Sequence, residues 1–396
     1  MSICPPSIAI TRHVRRLADA HGLAATSGDL RYNEDMTRKP KAPLKRGWTT
    51  GACAAAATRA AYGALLTGDF VDPVTIELPK GEKPAFALAR EALGRDYAMA
   101  AIVKDAGDDP DVTHGALVVA TVRRGAPGSG VAFRAGEGVG VVERPGLPLA
   151  VGEPAINPAP RAMMRDAVAA LAAAHDDPGD VEIEISVPGG AALAAKTWNP
   201  RLGITGGLSI LGTTGVVVPY SCSAWIHSIH RGIDVARAAG LERVAGCTGS
   251  TSERAVQSHH GLPDHAMIDM GDFAGGMLKY LRSHPIPVLT IGGGFAKLCK
   301  LAQGHLDLHS GRSQVDFDWL TGIVEEIGAD ADVTARIHES GSAGAALAIA
   351  ELAGIPIGDA IASHACATAL GVIVGGTEIE VLVYDRAGRL VGSADG

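Results

Sequence analysis

The sequence predicts a mixed protein of two domains, an amino-terminal α+β domain and a carboxyl-terminal α/β domain with a mainly parallel sheet. Three observations predict it. From about residue 222 the chain repeats an apolar strand, a turn with Gly or Asp, and a helix three times over, in LERVAGCTGS, AMIDMGD, PVLTIGGG and the segments that follow each. Such units close a parallel sheet through right-handed crossovers. Before that point helices and short β-rich pieces mix without a repeat. The chain has 396 residues, 47% of them hydrophobic, which is enough to bury more than one core.

In order along the chain, residues 1–43 mix Arg, Asp, Ser and Pro without periodicity and end in TRKPKAPLKRG, the composition of a solvated extension. The α+β domain is placed at 44–221. It opens on TTGACAAAATRAAYGALLTG, a Thr cap and an Ala-rich helix that Gly68 stops. Strands are expected at 74–78, 97–103 and 116–122, a helix at 159–174, and a strand from Val181. The stretch WNPRLGITGGLSILGTTGVVVPYS is dense in turn formers, and the boundary is set at its end, near Ser221. The α/β domain at 222–396 is read as helices over 224–239 and from Ser252, Phe273 and Ala296, then a largely helical stretch to about Leu370. The hairpin IEVLVYDRAGRLVG closes the chain, turning near Ala387 and Gly388.

Lys+Arg number 35 against 43 Asp+Glu, a net charge of -8, and aromatics make up 4% of the chain. Both argue against nucleic acid or an anionic membrane as the main partner. No stretch reaches the roughly 20 apolar residues that cross a bilayer, and MSICPPSIAITRHVRRLADAHG lacks the apolar run of a signal peptide, so a cytoplasmic protein is expected. The six cysteines are scattered without a C-x-x-C pair, which offers neither a zinc module nor a disulfide framework.

Several constellations carry chemistry, each beside a plainer reading. Thr49 and Thr50 begin a helix whose first amides are unpaired, with Lys45 and Arg46 just upstream. Dipole and charge together suit a carboxylate or phosphate there, and an ordinary cap is the alternative. Cys53, in the same turn, reads as a small core residue. KDAGDDPDVTHG sets Asp105, Asp108, Asp109 and Asp111 behind Lys104, a density of carboxylates that suits acid–base work, a cation, or a solvated Asp-Pro turn. The turns Gly246-Cys247-Thr248-Gly249 and Gly292-Gly293-Gly294 end apolar runs and open helices, which lets a ligand approach backbone amides. Neither is a Walker A loop or a complete G-x-G-x-x-G fingerprint. Asp269 and Asp272 stand at a strand end, where an acidic side chain can take the hydroxyls of a ribose; helix capping competes for Asp272. His305, Asp307 and His309, like His227 with His230, form incomplete ligand sets, and no metal is expected.

Taken in order, RGWTTGACAAAA, VKDAGDDPDVTHGA, GEGVGVVERPGL, VGEPAINPAPR and KTWNPRLGITGGLSILGTTGVVVPYS resemble the CbiD family, the cobalt-precorrin-5B C1-methyltransferases of cobalamin biosynthesis. GHLDLHSG is similar to the family's Gly-x-x-x-x-x-His-Ser stretch. Two segments depart: GDFAGGML stands where the family usually has a Ser-Asn-Phe-type sequence, and GGGFAKLCK replaces a more polar Gly-His-x-Gly-Lys version. The resemblance implies S-adenosylmethionine as cofactor, a ring-contracted tetrapyrrole as substrate and methyl transfer to its C1. It also implies an amino-terminal domain related by permutation to the second domain of ribosomal protein S5.

On that reading Gly246, Thr248, Gly249, Asp269, Asp272, Gly292 and Gly293 are nominated for the cofactor. Lys45, Arg46, Thr49, Thr50, Lys104, Lys196, Asn199 and Arg201 are nominated for the substrate and its carboxylates, and Asp105, Asp108 and Asp109 for a catalytic base or counterion. Two other classes stay open from the residues alone, a non-catalytic tetrapyrrole carrier and a nucleotide-dependent small-molecule kinase. The kinase reading lacks the Lys-Ser/Thr ending of a Walker loop. Assembly of like copies is also left open.

Overall fold

The alanine run of the first half forms a central helix, because small side chains let neighbouring elements come close on every side. The structure is a computed structural model describing residues 43–396; the extension expected at 1–43 lies, save its last residue, outside them. After β1 (Gly47–Trp48), helix α1 (Thr50–Thr67) starts on Thr49, whose side chain accepts from the Ala52 amide, and stops on Gly68 at φ 90°. Nearly every residue from Thr50 to Ala64 is buried.

Around it run β2 (Val74–Thr75), β3 (Ala85–Phe86), β4 (Arg90–Leu93), β5 (Tyr97–Val103), β6 (Leu117–Arg124), β7 (Val131–Ala135), β8 (Val141–Val142), α2 (Pro158–His175), β9 (Val181–Ser186), α3 (Gly190–Ala194), β10 (Ile204–Thr205) and β11 (Val216–Val217). Five strands form a sheet in the order β4-β5-β6-β9-β7, antiparallel except where β7 lies beside β9. Alternation along β6 and β9 turns Val118, Ala120, Val122, Val181, Ile183 and Ile185 into one core with α1 and α2. The strand expected at 74–78 pairs over two residues only. β4 and β7 were not foreseen: REAL reads as a helix former, and VAFRA sits behind a glycine-rich turn.

The second half comprises α4 (Cys222–Ala238), β12 (Arg243–Cys247), α5 (Ser250–His260), β13 (Met267–Asp269), α6 (Ala274–Ser283), β14 (Val288–Gly294), α7 (Phe295–Ala302), α8 (Phe317–Glu326), α9 (Ala331–His338), α10 (Ala343–Leu352), α11 (Ile357–Ile373), β15 (Glu378–Tyr384) and β16 (Leu390–Asp395). Its sheet runs β13-β12-β14-β15-β16, the first four strands parallel and β16 antiparallel at the edge. The closing hairpin therefore does more than end the chain. Its first strand is the fourth parallel strand, reached from β14 by the helical crossover α7 to α11.

Residues 43–396 form one compact unit with two main hydrophobic cores, one drawn from residues 52–210 and one from 229–383. In the second, α11 approaches β16 so closely that a Cβ on Gly358 would overlap the Val391 carbonyl, and one on Gly392 would overlap Gly358. Backbone cannot yield as a side chain can. Gly358→Ala is expected to destabilise the protein by about 2 kcal/mol, seen as a lower unfolding midpoint. An unchanged midpoint would show that the helix slides on the strand at no cost.

Candidate functional site

The carboxyl ends of three parallel strands meet in register, with Cys247 of β12 opposite Asp269 of β13 on one side and Gly292 of β14 on the other. The ladder continues past the strands: the Thr248 amide donates to the Gly292 carbonyl at 3.0 Å and the Gly271 amide to the Cys247 carbonyl at 3.0 Å. Gly246 and Gly292 are packing glycines, since a Cβ would strike Met277 at the first and Val256 at the second. Gly293 is crowded by Leu298 and Thr248. Gly249 and Gly294 face open space and precede α5 and α7, so both helix starts are free to meet a ligand.

Asp269 is the unusual carboxyl of this crevice. Burial first, and then the charge of Glu253, push it up to about 6, while Arg201 pulls the other way; no hydrogen bond contributes. Arg201 comes from the first half and pairs with Glu253 in the first turn of α5, its guanidinium lying 5.8 Å from the Trp198 ring centre. Burial lowers the arginine's affinity for its proton, and the bond to Glu253 more than restores it. Trp225 of α4 is tied to the same strand end, its indole donating to the Asp269 main-chain carbonyl at 3.0 Å. Glu253 was missed in the sequence, although an acid four residues after a glycine turn was the available signal.

Asp272 is already engaged. Lys297 pairs with it, and the Leu308 amide donates to its carbonyl at 2.8 Å. Lys297 and the buried Lys300 both donate to the Leu308 carbonyl at 3.1 Å, so GHLDLHSG is bound to the turn after β13. Asp307 pairs with Arg312, and the His309 ring accepts from the Gly311 amide. His230 is stacked 3.9 Å from Tyr280 and bonded to the Gly276 carbonyl, a packed role. His259, His260 and Glu380 come close enough to share an ion, but Glu380 Oε2 already meets Arg243 at 2.7 Å, Thr290 at 2.6 Å and His260 at 2.7 Å. A guanidinium on that oxygen makes the trio a charge network.

Of the nominated residues of the first half, Lys45, Arg46, Thr49, Thr50, Asp105 and Asp108 lie at or beside the start of α1. Lys45 pairs with Asp105 at 2.6 Å and donates its amide to Asp108 at 2.6 Å, while Asp109 accepts from the Tyr220 amide at 2.9 Å. Lys45 holds the Asp105 carboxyl below the usual carboxylate range. Lys104 is 1% exposed and bonded to Asp111, so its charge is used inside the protein. Thr49 caps α1, the Thr50 hydroxyl bridges Leu211, and Asn199 is held between Gly207 and Ser209. These four have internal partners. Arg46 and Lys196 are exposed.

Cys222 stands apart from the other described cysteines. It is half-buried in the first turn of α4 with the Arg312 guanidinium 3.3 Å from its sulfur, whereas burial pushes Cys53 up to about 12 and raises Cys247, Cys299 and Cys366 as well. Iodoacetamide at pH 7.5 is expected to label Cys222 before these four, read by peptide mass mapping. Equal labelling of Cys53 would contradict this.

Parallel strands whose carboxyl ends meet in register, flanked here by an arginine from the first half, are the arrangement α/β proteins use for small-molecule ligands. A family model described as CbiD matches residues 37–219, and one described as the CbiD C-terminal domain matches residues 307–395. A cobalt-precorrin-5B C(1)-methyltransferase of Paramagnetospirillum magneticum is 64% identical over 89% of this chain and 98% of its own. A protein of the same name from Brucella canis is 62% identical over 89% of this chain and 96% of its own. The chain belongs to the CbiD family. A crystal structure of the cobalamin biosynthesis protein (cbiD) from Archaeoglobus fulgidus shares 26% identity and covers 64% of this chain and 77% of that one; its TM-score of 0.37 is too low to bear on the fold. Among the described residues, no helix is long and apolar enough to cross a membrane.

Proposed function

We propose that this protein transfers a methyl group from S-adenosylmethionine to C1 of cobalt-precorrin-5B, giving cobalt-precorrin-6A and S-adenosylhomocysteine. The observation that carries the reading is 64% and 62% identity, over nearly their whole lengths, to proteins named for that methyl transfer. A sulfonium methyl is already activated, so the protein's task is to align the two ligands and exclude water.

The crevice supports a place for the nucleoside. A partly buried carboxyl raised to about 6, with no hydrogen bond to hold its charge, is an acceptor that a ribose diol would satisfy with two donors. Asp269 is therefore the proposed cofactor ligand, beside Thr248 and the open Gly249; Asp272, bound to Lys297, is assigned to holding the loop. Arg46 and Lys196, with Lys45 and Arg201 where an incoming carboxylate competes for them, are proposed for the acidic periphery of the tetrapyrrole. Asp105 is proposed as a counterion, since a carboxyl lowered by its lysine is a weak base, and Asp108, which accepts from the Lys45 amide, as a group that shapes the Lys45 segment. The separate cores support a division into domains at 44–221 and 222–396, the first proposed as the permuted S5-like unit.

Anaerobic incubation with cobalt-precorrin-5B and methyl-labelled S-adenosylmethionine tests the activity. Label in the ring and one S-adenosylhomocysteine per product are expected. Binding of the tetrapyrrole without transfer would favour the carrier reading, and ATP hydrolysis the kinase.

A further inference from the structure

We propose that Tyr220 is an aromatic surface on which the conjugated tetrapyrrole rests, and that Asp109 is the positioning residue that holds it there; this rests on the methyltransferase reading. Three non-glycine residues among those described have positive φ: Asp176 at 51°, Val374 at 52° and Tyr220 at 56°. The first two end α2 and α11, with their amides bonded back to Ala172 and Leu370, the ordinary left-handed close of a helix. Tyr220 ends no helix. It precedes Ser221, the cap of α4, and its amide is held by the Asp109 carboxylate at 2.9 Å, from 111 residues away.

An aromatic residue in this region is strained, and glycine would not be. The strain does not serve to enclose the side chain, since Tyr220 is 50% exposed. What it does is fix where an exposed ring stands. Nearby segments expose other apolar side chains: Val218 two residues before, Val112 on the loop that carries Asp109, and Leu211, whose carbonyl accepts from the Thr50 hydroxyl. Lys45 and Arg46 border the same loop through the bond from Lys45 to Asp108. Five residues beyond the ring, Trp225 is bonded to Asp269. A short stretch of backbone thus joins an apolar, basic-edged surface to the main-chain carbonyl of Asp269, the proposed cofactor ligand. A conjugated macrocycle with carboxylates at its edge fits that combination, because an aromatic ring stacks on its face while cations meet its rim.

The test is an anaerobic titration with cobalt-precorrin-5B, followed by its absorbance. Tyr220→Gly keeps the backbone conformation without strain, so its unfolding midpoint should equal or exceed that of the native protein. Its Kd for the tetrapyrrole should rise about tenfold, with its Kd for S-adenosylmethionine within twofold of native. Tyr220→Phe should restore the tetrapyrrole affinity. Asp109→Ala should weaken tetrapyrrole binding, and Asp109→Asn, whose amide oxygen still accepts the N–H, should recover it. Equal affinity in native protein and Tyr220→Gly, or a loss in Tyr220→Phe as large as in Tyr220→Gly, would overturn the inference alone. Native protein that fails to bind the tetrapyrrole would overturn the methyltransferase reading as well.

Discussion

Asp269→Asn is expected to unfold at a higher temperature than the native protein at pH 7.5 and to lose at least about tenfold in affinity for S-adenosylmethionine. The carboxyl titrates near 6 in the folded protein, against an ordinary value of 3.8. Between those values the folded chain binds more protons than the unfolded one, so stability falls as pH rises through that window and stays lower above it. Replacing the acid by an amide of the same shape removes this cost, on the order of 3 kcal/mol at pH 7.5, and should make no such difference below about pH 4. The amide cannot accept two hydroxyl donors as a carboxylate does, so binding falls while stability rises. Parallel melts at pH 4 and 7.5 with calorimetric titration of the cofactor check both halves of the expectation. A variant no more stable at pH 7.5, binding as native does, would remove Asp269 from the site.

Arg201→Ala should produce the other large effect, loss of stability and methyl transfer together. Arg201 pairs with Glu253 and also counters the charge of Asp269. Without it the two carboxyls face each other uncompensated, and Asp269 is pushed further up. Its side chain is 33% exposed and that of Glu253 15%, so the expected cost is about 2 kcal/mol, below that of a fully buried pair. Because Arg201 belongs to the first half and Glu253 to the second, the loss should also loosen the join between the cores, read as faster hydrogen exchange at α5. The double variant Arg201→Ala, Glu253→Gln should regain stability relative to the single one without regaining activity. If the single variant keeps native stability, the pair is a surface contact of no consequence.

Elements whose pattern is local were legible in the sequence. The Thr49 cap and Gly68 stop bracket α1, and the three strand–turn–helix units appear as β12 to α7 with their carboxyl ends at the glycine turns. β15 was read as half of a hairpin, because nothing in IEVLVY says that its other neighbour is β14, far back in the chain. The site divided the same way. Asp269 was nominated from its place at a strand end, but its raised pKa depends on Glu253 and Arg201, which only tertiary packing brings beside it. Lys104 and Asn199 were nominated for the substrate by residue type; that they are buried with internal partners is something no spacing reveals. Tyr220 could not have been singled out, since its significance lies in a backbone angle and a carboxylate 111 residues away.

We propose that the cofactor lies at the strand ends of the second half, with the tetrapyrrole reaching it from the first. A crystal structure of the protein with S-adenosylhomocysteine measures this most directly. The ribose hydroxyls are expected within hydrogen-bond distance of the Asp269 carboxylate, and the adenosine beside Thr248 and Gly249. Density for the nucleoside at the start of α1, among Lys45, Asp105 and Thr49, with the Asp269 crevice empty, would contradict it.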